Sequence, residues 1–444
     1  MEKFYEKFQN SAKNKKSKEK KSYKSEVKKS FRPQKEFSKS EEEIFLDAKL
    51  ISVKNLFNKF NLEENAKFVL ENFDSIVKNA LSLNSRQVQN LPKSINSLSH
   101  SLTDERENRR LGYMNSTEEL SSYIHYFTWW NLVRLIKIFS NFTEKDFNLN
   151  DGDFCADFGS GPLTVIIALW LSCPDLRNKK LTWYCVDISS RAMALGEDIF
   201  YSVAAKCPPK NQNSESFWKI IRVKGELGVS LKNKVKFISC ANMFNEINQN
   251  TEKSYEEIAK SSVKTLINYG QKDCSFFILE PGIPNSAHFI SLCRDEFIQN
   301  KKEILSPCTH KEKCCMNGKN AKKGGKSKWC NFDFLTEDAP LKLLKLSEQA
   351  NLAKNRVVLS FIFAGDFKNQ QVQNDFINCR IASDSFLLSN NKKGFYACSQ
   401  IGFLLISVQK NVNLKSGDLI TFELKSPVER LKTDSKSGAK IINL

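Results

Sequence analysis

The chain has 444 residues, a formal net charge of +18 and 41% hydrophobic residues, with 33 Phe and 6 Trp, a supply that builds a sizeable core and excludes a wholly disordered protein. No apolar run approaches the ~20 residues of a membrane-spanning helix; the N-terminus has neither the apolar segment of a signal peptide nor the Arg-rich, acid-poor pattern of a transit peptide, so a cytoplasmic location is expected, and the chain is expected to be a monomer. The 13 Cys, without a secretion signal, are expected as reduced, buried or metal-bound thiols rather than as a disulfide framework.

Positive charge is concentrated in two places. Residues 1–40 hold 14 Lys or Arg against 5 Glu, and residues 301–330 hold 9 Lys against 2 Glu, which leaves the rest of the chain close to neutral. Charge gathered in this way favours a polyanion, because neutralised phosphates release their counterions, and nucleic acid is the first candidate partner. A Lys-rich tail also serves solubility alone, but a second cluster beside cysteines is less readily explained so.

In chain order, residues 1–42 are Lys, Ser and Glu with few aliphatics and are expected to be a disordered basic arm. Residues 43–150 read as mainly helical: Ser116 and Glu119 fit a capping box, and Trp129, Leu132, Val133, Ile136 and Phe139 recur at helical spacing. Across residues 151–300, short β-rich runs at Phe154–Phe158, Thr182–Ile188, Val235–Cys240 and Ser275–Glu280 alternate with helical patterns starting near Leu163, Ser190, Ser254 and Asn285. This alternation predicts an α/β fold with a parallel sheet covered by helices on both faces. Residues 301–335 form a Cys-rich basic segment. Within residues 336–428, strands are expected at Val357–Phe363, Ile377–Phe386, Phe395–Val408 and Asp418–Leu424, the first closing the sheet and the others forming a small β module. Residues 429–444 read as a tail.

The segment Asp157-Phe158-Gly159-Ser160-Gly161-Pro162 lies where a strand must turn sharply into a helix, and glycines there let backbone approach a ligand closely. A second strand ends at Asp187, 26 residues beyond Gly161, where a carboxylate can accept hydrogen bonds from both ribose hydroxyls of a nucleoside, and Ser189 is placed to cap the next helix. The third glycine of a dinucleotide fingerprint is missing. A pyrophosphate would lose its closest approach, so the pattern favours S-adenosylmethionine over NAD; an α/β turn without a ligand is the plain alternative. Asn242-Met243-Phe244-Asn245-Glu246 and Glu280-Pro281-Gly282-Ile283-Pro284 follow the next two strands at their carboxyl ends, where open α/β sheets place ligands. Both could line a methyl-acceptor side, or the second could merely shape a loop.

These segments, taken with Arg294, with Pro307-Cys308-Thr309-His310-Lys311-Glu312-Lys313-Cys314 and with Trp329-Cys330-Asn331-Phe332, resemble the methyltransferase-like family associated with assembly of the small ribosomal subunit in bacteria and mitochondria. The resemblance spans about residues 110–424. It implies a class I methyltransferase (Rossmann-like) sheet that binds S-adenosylmethionine, contacts small-subunit ribosomal RNA within the pre-ribosomal particle, and holds an iron-sulfur cluster. By the resemblance the cofactor role falls on Asp157, Gly159, Gly161 and Asp187, to which Ser160 and Asn242 are added as cofactor-binding candidates; the cluster role, as a 4Fe-4S centre, falls on Cys308, Cys314, Cys330 and Cys398. Two departures stand out: Cys315, where the family tends to have proline, and the Gly- and Lys-rich stretch 317–328.

Residue chemistry alone leaves choices open at both centres. Zinc could be held by Cys308, Cys314 and Cys330 with His310 or Cys398, although structural zinc sites favour tight Cys-x2-4-Cys pairs. Cys379 rivals Cys398 as fourth ligand, and Cys315 could replace Cys314. No acceptor motif for amine or pyrimidine methylation is visible, and catalytic residues remain unassigned: His125 and His288 are lone histidines, and Glu246 and Glu280 are strand-end carboxylates. Two functions follow, an assembly or translation factor that binds the cofactor and an active rRNA methyltransferase.

Overall fold

A computed structural model describes residues 47–57, 62–103, 113–210, 217–247, 253–319, 325–367, 376–389 and 391–444. The expected basic arm at 1–42 lies outside the described residues, as do 320–324 of the Lys-rich stretch.

The central sheet takes its strands in the chain order β1 (Phe154–Phe158), β2 (Thr182–Asp187), β3 (Lys219–Lys224), β4 (Val235–Ala241), β5 (Gly270–Pro281), β6 (Glu303–Ser306) and β7 (Arg356–Gly365). Their spatial order is 3-2-1-4-5-7-6, with β7 antiparallel to both its neighbours; Phe332–Leu335 adds a further antiparallel partner to β7. This is the strand order of the class I methyltransferase sheet. The sequence of β1, Phe-Cys-Ala-Asp-Phe, is almost wholly buried, as expected of a parallel strand covered on both faces. Alternate residues separate cleanly: Cys155, Trp183, Phe237 and Phe277 enter one core, and Ala156, Tyr184, Ile238 and Phe276 enter the other.

The first of these cores also receives the N-terminal helices. Trp129, Leu132, Val133, Ile136 and Phe139 are all buried, the Phe139 ring lies 4.8 Å from that of Phe277, and the Trp129 indole N–H donates to the carbonyl of Leu70 at 2.8 Å. Opposite them on the sheet, helices Tyr255–Tyr269 and Pro284–Gln299 cover the second core through Val263, Leu266, Phe289 and Phe297.

A separate six-strand path makes the β module, in the order 48–55, 418–424, 377–381, 392–399, 402–409 and 440–443. Two of these strands fall where the sequence reading had none. Ala48–Asn55 pairs antiparallel with Asp418–Leu424, so the N-terminal region is not helical throughout, and Lys440–Asn443 pairs parallel with Gly402–Gln409, so the terminal segment is not only a tail. The run expected at Phe395–Val408 is two strands joined at Gln400 and Ile401. The unforeseen strand β3 lies at the sheet edge with its Lys and Arg facing outward, a pattern that protects an edge but hides its apolar alternation.

Candidate functional site

A cavity of about 350 Å³ opens at the carboxyl ends of β1, β2 and β4. Gly159 and Gly161 have positive φ, 70° and 46°, and the N–H groups of Gly159 and Ser160 both donate to the Val186 carbonyl, at 2.9 and 3.1 Å. The Gly161 N–H donates to Asp187 Oδ2 at 2.8 Å and the Ser189 N–H to Asp187 Oδ1 at 2.8 Å. Asp187 thus fixes the glycine turn while lining the cavity beside Gly159, Ser160, Gly161 and Asn242. Ser189 caps helix Ser190–Lys206 by accepting from the Ala192 N–H.

Asp157 differs from the other five residues assigned to the cofactor. It is buried beneath the turn and does not line the cavity. Its Oδ1 accepts from the Ser239 hydroxyl at 2.6 Å, its Oδ2 is buried without a partner, and its backbone carbonyl accepts from the Ser160 hydroxyl at 2.6 Å. Burial pushes its carboxyl up to about 7.

Several lining residues escaped the sequence reading. Tyr113, Met114 and Tyr123 come from the segment preceding the sheet, and Glu226 and Leu227 from the turn after β3. They sit in irregular or short elements where no periodicity marks them. Gly196 is a further case: in mid-helix, it would place a Cβ 2.4 Å from the carbonyl carbon of Pro162. A glycine inside a helix costs about 1 kcal/mol relative to alanine, and this was the available signal that the glycine turn rests on the helix.

The two later strand-end segments part company. Asn242, Met243 and Glu246 line the cavity, and the Asn242 side-chain oxygen accepts from Arg134 at 3.2 Å. The Glu280–Pro284 segment does not reach it. Glu280 is fully buried and accepts the N–H groups of Phe244 and Asn245 at 2.8 and 3.2 Å, with burial raising its carboxyl to about 8. Gly282 turns away against Val358, and its carbonyl accepts the Trp329 indole N–H at 3.0 Å. His125 and His288 lie outside the cavity; their Nδ1 atoms are 2.9 Å from the carbonyls of Ser121 and Asn317.

The cysteine segment lies between the sheet and the β module. Cys308, Cys314, Cys330 and Cys398 interact electrostatically with one another, and burial raises the first three thiols, whereas Cys398 is raised first by its hydrogen bond with Cys315 and then by burial. The His310 Nε2 is 3.2 Å from Cys398 Sγ. Arg294 donates to Cys308 Sγ at 3.3 Å and to the His310 carbonyl at 2.7 Å, and its other end pairs with Asp295 at 2.6 Å. Arg380 sits directly across the strand pair from Cys398 and donates to the carbonyls of Pro307 and Gly417, with burial lowering its guanidinium to about 10. Cys379 faces the interior of the β module with Ile381 and Ala397, whereas Cys398 packs against the core shared with the central sheet. Among the described residues, no three His, Cys, Asp or Glu side chains are grouped closely enough to hold a metal ion.

A sequence profile of the family described as mitochondrial small ribosomal subunit Rsm22 matches residues 131–384, more than half of the chain. The chain belongs to the Rsm22 family. No curated protein sequence matches it. Solved structures with a similar fold include a precorrin-6y C5,15-methyltransferase from Geobacter metallireducens, 8% identical over 54% of this chain and 86% of that one, with a TM-score of 0.28. YjhP of E. coli is 11% identical over 52% of this chain and 98% of its own, with a TM-score of 0.27. A ribosomal protein L11 methylase from Lactobacillus delbrueckii subsp. bulgaricus is 16% identical over 41% and 72%, with a TM-score of 0.25. The strand order, rather than these distant likenesses, identifies the fold. Among the described residues, no helix is long and apolar enough to cross a membrane.

The buried carboxyls give the Rsm22-family fold a pH signature. Asp157 and Glu280 are held at about 7 and about 8 against ordinary values of 3.8 and 4.5, so the folded chain favours their protonated forms. Their contribution to stability is full below the unfolded values and is lost as pH rises through about 7 to 8. Denaturant unfolding of the ligand-free chain should therefore give a lower unfolding free energy at about pH 8.5 than at about pH 5.5, by a few kcal/mol at most, and Asp157→Asn should flatten the slope. An identical slope in the variant would contradict the assignment.

Proposed function

We propose that this chain is an assembly or translation factor of the small ribosomal subunit that binds S-adenosylmethionine and ribosomal RNA. The cofactor reading is carried by the cavity lining: Asp187, Glu226 and Glu246 provide three carboxylates, and among the described residues no Lys or Arg lines the cavity. S-adenosylmethionine brings sulfonium and ammonium cations and no phosphate, whereas the pyrophosphate of NAD would meet three like charges. Each Asp187 oxygen accepts one backbone N–H and retains a lone pair for a ribose hydroxyl. Gly159, Ser160, Gly161 and Asn242 would hold the rest of the molecule, with Asp157 supporting the turn from below. When bound, the cofactor supplies an electrophilic methyl group.

The ribosomal part of the proposal rests on the family, described by its small ribosomal subunit, and on the positive charge of residues 301–330. Contacts made by Lys side chains to phosphates predict an affinity for structured RNA that falls steeply with salt. The compartment follows the partner. The family description names mitochondria where the N-terminal composition predicts cytoplasm, and imaging of the full-length tagged chain separates the two. The second reading, methyl transfer to rRNA, is supported by a cavity lined by Gly159, Ser160, Gly161 and Asp187; a methyl group missing from small-subunit RNA in cells lacking the gene would select it.

The same reading assigns Cys308, Cys314, Cys330 and Cys398 to a 4Fe-4S cluster, with zinc as the alternative. Two buried guanidinium groups, Arg294, which also pairs with Asp295, and Arg380, stand beside thiols raised by burial or, for Cys398, first by its hydrogen bond with Cys315, and thiolates around a cluster would supply further opposing charge. A single zinc ion draws its sulfurs to about 3.8 Å from one another, as Zn–S bonds of about 2.3 Å require. A cubane takes one sulfur per iron and spreads them further. The polypeptide's part is to present the four thiolates from two segments and the β module and to neutralise them with two arginines.

Calorimetry with the folded chain should show saturable S-adenosylmethionine binding, and Asp187→Ala should weaken it by ~1.5–3 kcal/mol; no binding at millimolar cofactor would refute the reading. Anaerobic purification should yield iron with a broad absorbance near ~400 nm. Stoichiometric zinc without iron would decide for the alternative.

A further inference from the structure

We propose that Arg134 is a positioning residue for the cavity at the carboxyl ends of β1, β2 and β4: it turns the side-chain amides of Asn131 and Asn242 so that their NH2 groups receive the carboxylate at the amino-acid end of S-adenosylmethionine. This rests on the cofactor reading and deepens it, assigning the one anionic part of that ligand. Asn131 comes from helix Trp129–Phe139 and Asn242 from the end of β4, and both line the cavity, whereas Arg134 does not. Arg134 lies one turn along the same helix as Asn131 and donates to the side-chain oxygens of both residues, to that of Asn242 at 3.2 Å. A guanidinium has five N–H donors and no acceptor, so each amide has to present its oxygen to Arg134 and turn its NH2 arm away. Among the described residues neither NH2 group donates to a protein acceptor, and neither is sealed from solvent, as befits donors that face an open cavity. The backbone at Asn242 suits the same residue type: its φ is 57°, in the left-handed region that Asn enters more readily than most side chains.

Two further features select a carboxylate for these donors. The first is that the glycine turn has none to spare. The N–H groups of Gly159 and Ser160 donate to the Val186 carbonyl, that of Gly161 donates to Asp187, and the Ser160 hydroxyl donates to the Asp157 carbonyl. An anionic group in this cavity is therefore held elsewhere, and away from the like charges of Asp187, Glu226 and Glu246. The second feature is the charge behind the two amides. Arg134 is buried and keeps its proton, burial lowering its guanidinium only to about 10, and the acidic groups acting on it are Tyr123 and Glu280. Glu280 spends its oxygens on the N–H groups of Phe244 and Asn245, and burial holds its carboxyl at about 8, so that it is mainly protonated at neutral pH. Lys354 adds a second cation that Arg134 repels. A buried cation without a full counter-charge is costly. A ligand carboxylate on the NH2 arms of Asn131 and Asn242 would offset that cost across the two polarised amides.

The discriminating experiment is calorimetry on the full chain with three ligands: S-adenosylmethionine, its decarboxylated form, which keeps the sulfonium and the amine, and 5′-methylthioadenosine, which lacks the amino-acid end. Wild type should prefer S-adenosylmethionine over the decarboxylated form by about tenfold or more, the factor that one charge-assisted hydrogen bond supplies. Asn131→Asp keeps the side-chain shape and an oxygen for Arg134 but puts a second oxygen where the NH2 group was. It should weaken S-adenosylmethionine by about tenfold while leaving the decarboxylated form and 5′-methylthioadenosine no weaker. Arg134→Met should also erase the preference for the carboxylate, with 5′-methylthioadenosine binding retained; should that variant fail to fold, Asn131→Asp alone decides. Equal wild-type affinities for S-adenosylmethionine and its decarboxylated form would overturn the proposal and leave the cofactor reading intact. So would an Asn131→Asp variant that weakens all three ligands in parallel, the mark of a merely structural role. A wild-type chain that binds none of the three sinks both.

Discussion

The carboxylate of Asp187 accepts one hydrogen bond from the Gly161 N–H and another from the Ser189 N–H, and so ties the ends of two neighbouring parallel strands to the helices that follow them. The glycine turn, the helix cap and the mouth of the cavity all depend on this arrangement. The turn is held again from outside, where Gly196 lets the next helix approach the backbone of Pro162. From below, the Asp157 carbonyl accepts the Ser160 hydroxyl. A residue type with a larger side chain at Gly196, or one without an acceptor at Asp187, would move the same few backbone atoms.

What the sequence discloses about this arrangement follows from how each feature is encoded. Phe154–Phe158 and Thr182–Asp187 are legible because buried parallel strands must be continuously apolar and because a turn at positive φ requires glycine. The edge strand Lys219–Lys224 is not, since its outward Lys and Arg erase the apolar alternation. Ala48–Asn55 and Lys440–Asn443 owe their strand state to partners more than 350 residues away or across a crossover, and local pattern carries no trace of either. At the site, motif reading finds Asp187, Gly159, Ser160, Gly161 and Asn242; it misses Tyr113, Tyr123 and Glu226, which reach the cavity only through tertiary placement. It also puts Asp157 among the contacts, whereas the side chain lies a layer deeper, bound to Ser239.

The strand order 3-2-1-4-5-7-6 places the end of β5 beside Phe244 and Asn245, next to the cavity-lining Met243, and the loop that follows β5 in the wall of a second cavity. Glu280 at the end of β5 turns inward to hold Phe244 and Asn245 near the cavity at the carboxyl ends of β1, β2 and β4, and Gly282, two residues later, turns outward to meet Trp329. Cys308, Cys314 and Cys330 follow on the segment between β6 and β7, and Cys398 comes from the β module. A cluster bridging them would fix the β module against the sheet and with it the walls of the second cavity.

Sedimentation of the tagged full-length chain through a gradient of a cell extract tests that central claim most directly. The account predicts that the chain travels with small-subunit precursor particles at low salt and is released as salt is raised. A chain found only among free proteins at every ionic strength would contradict it.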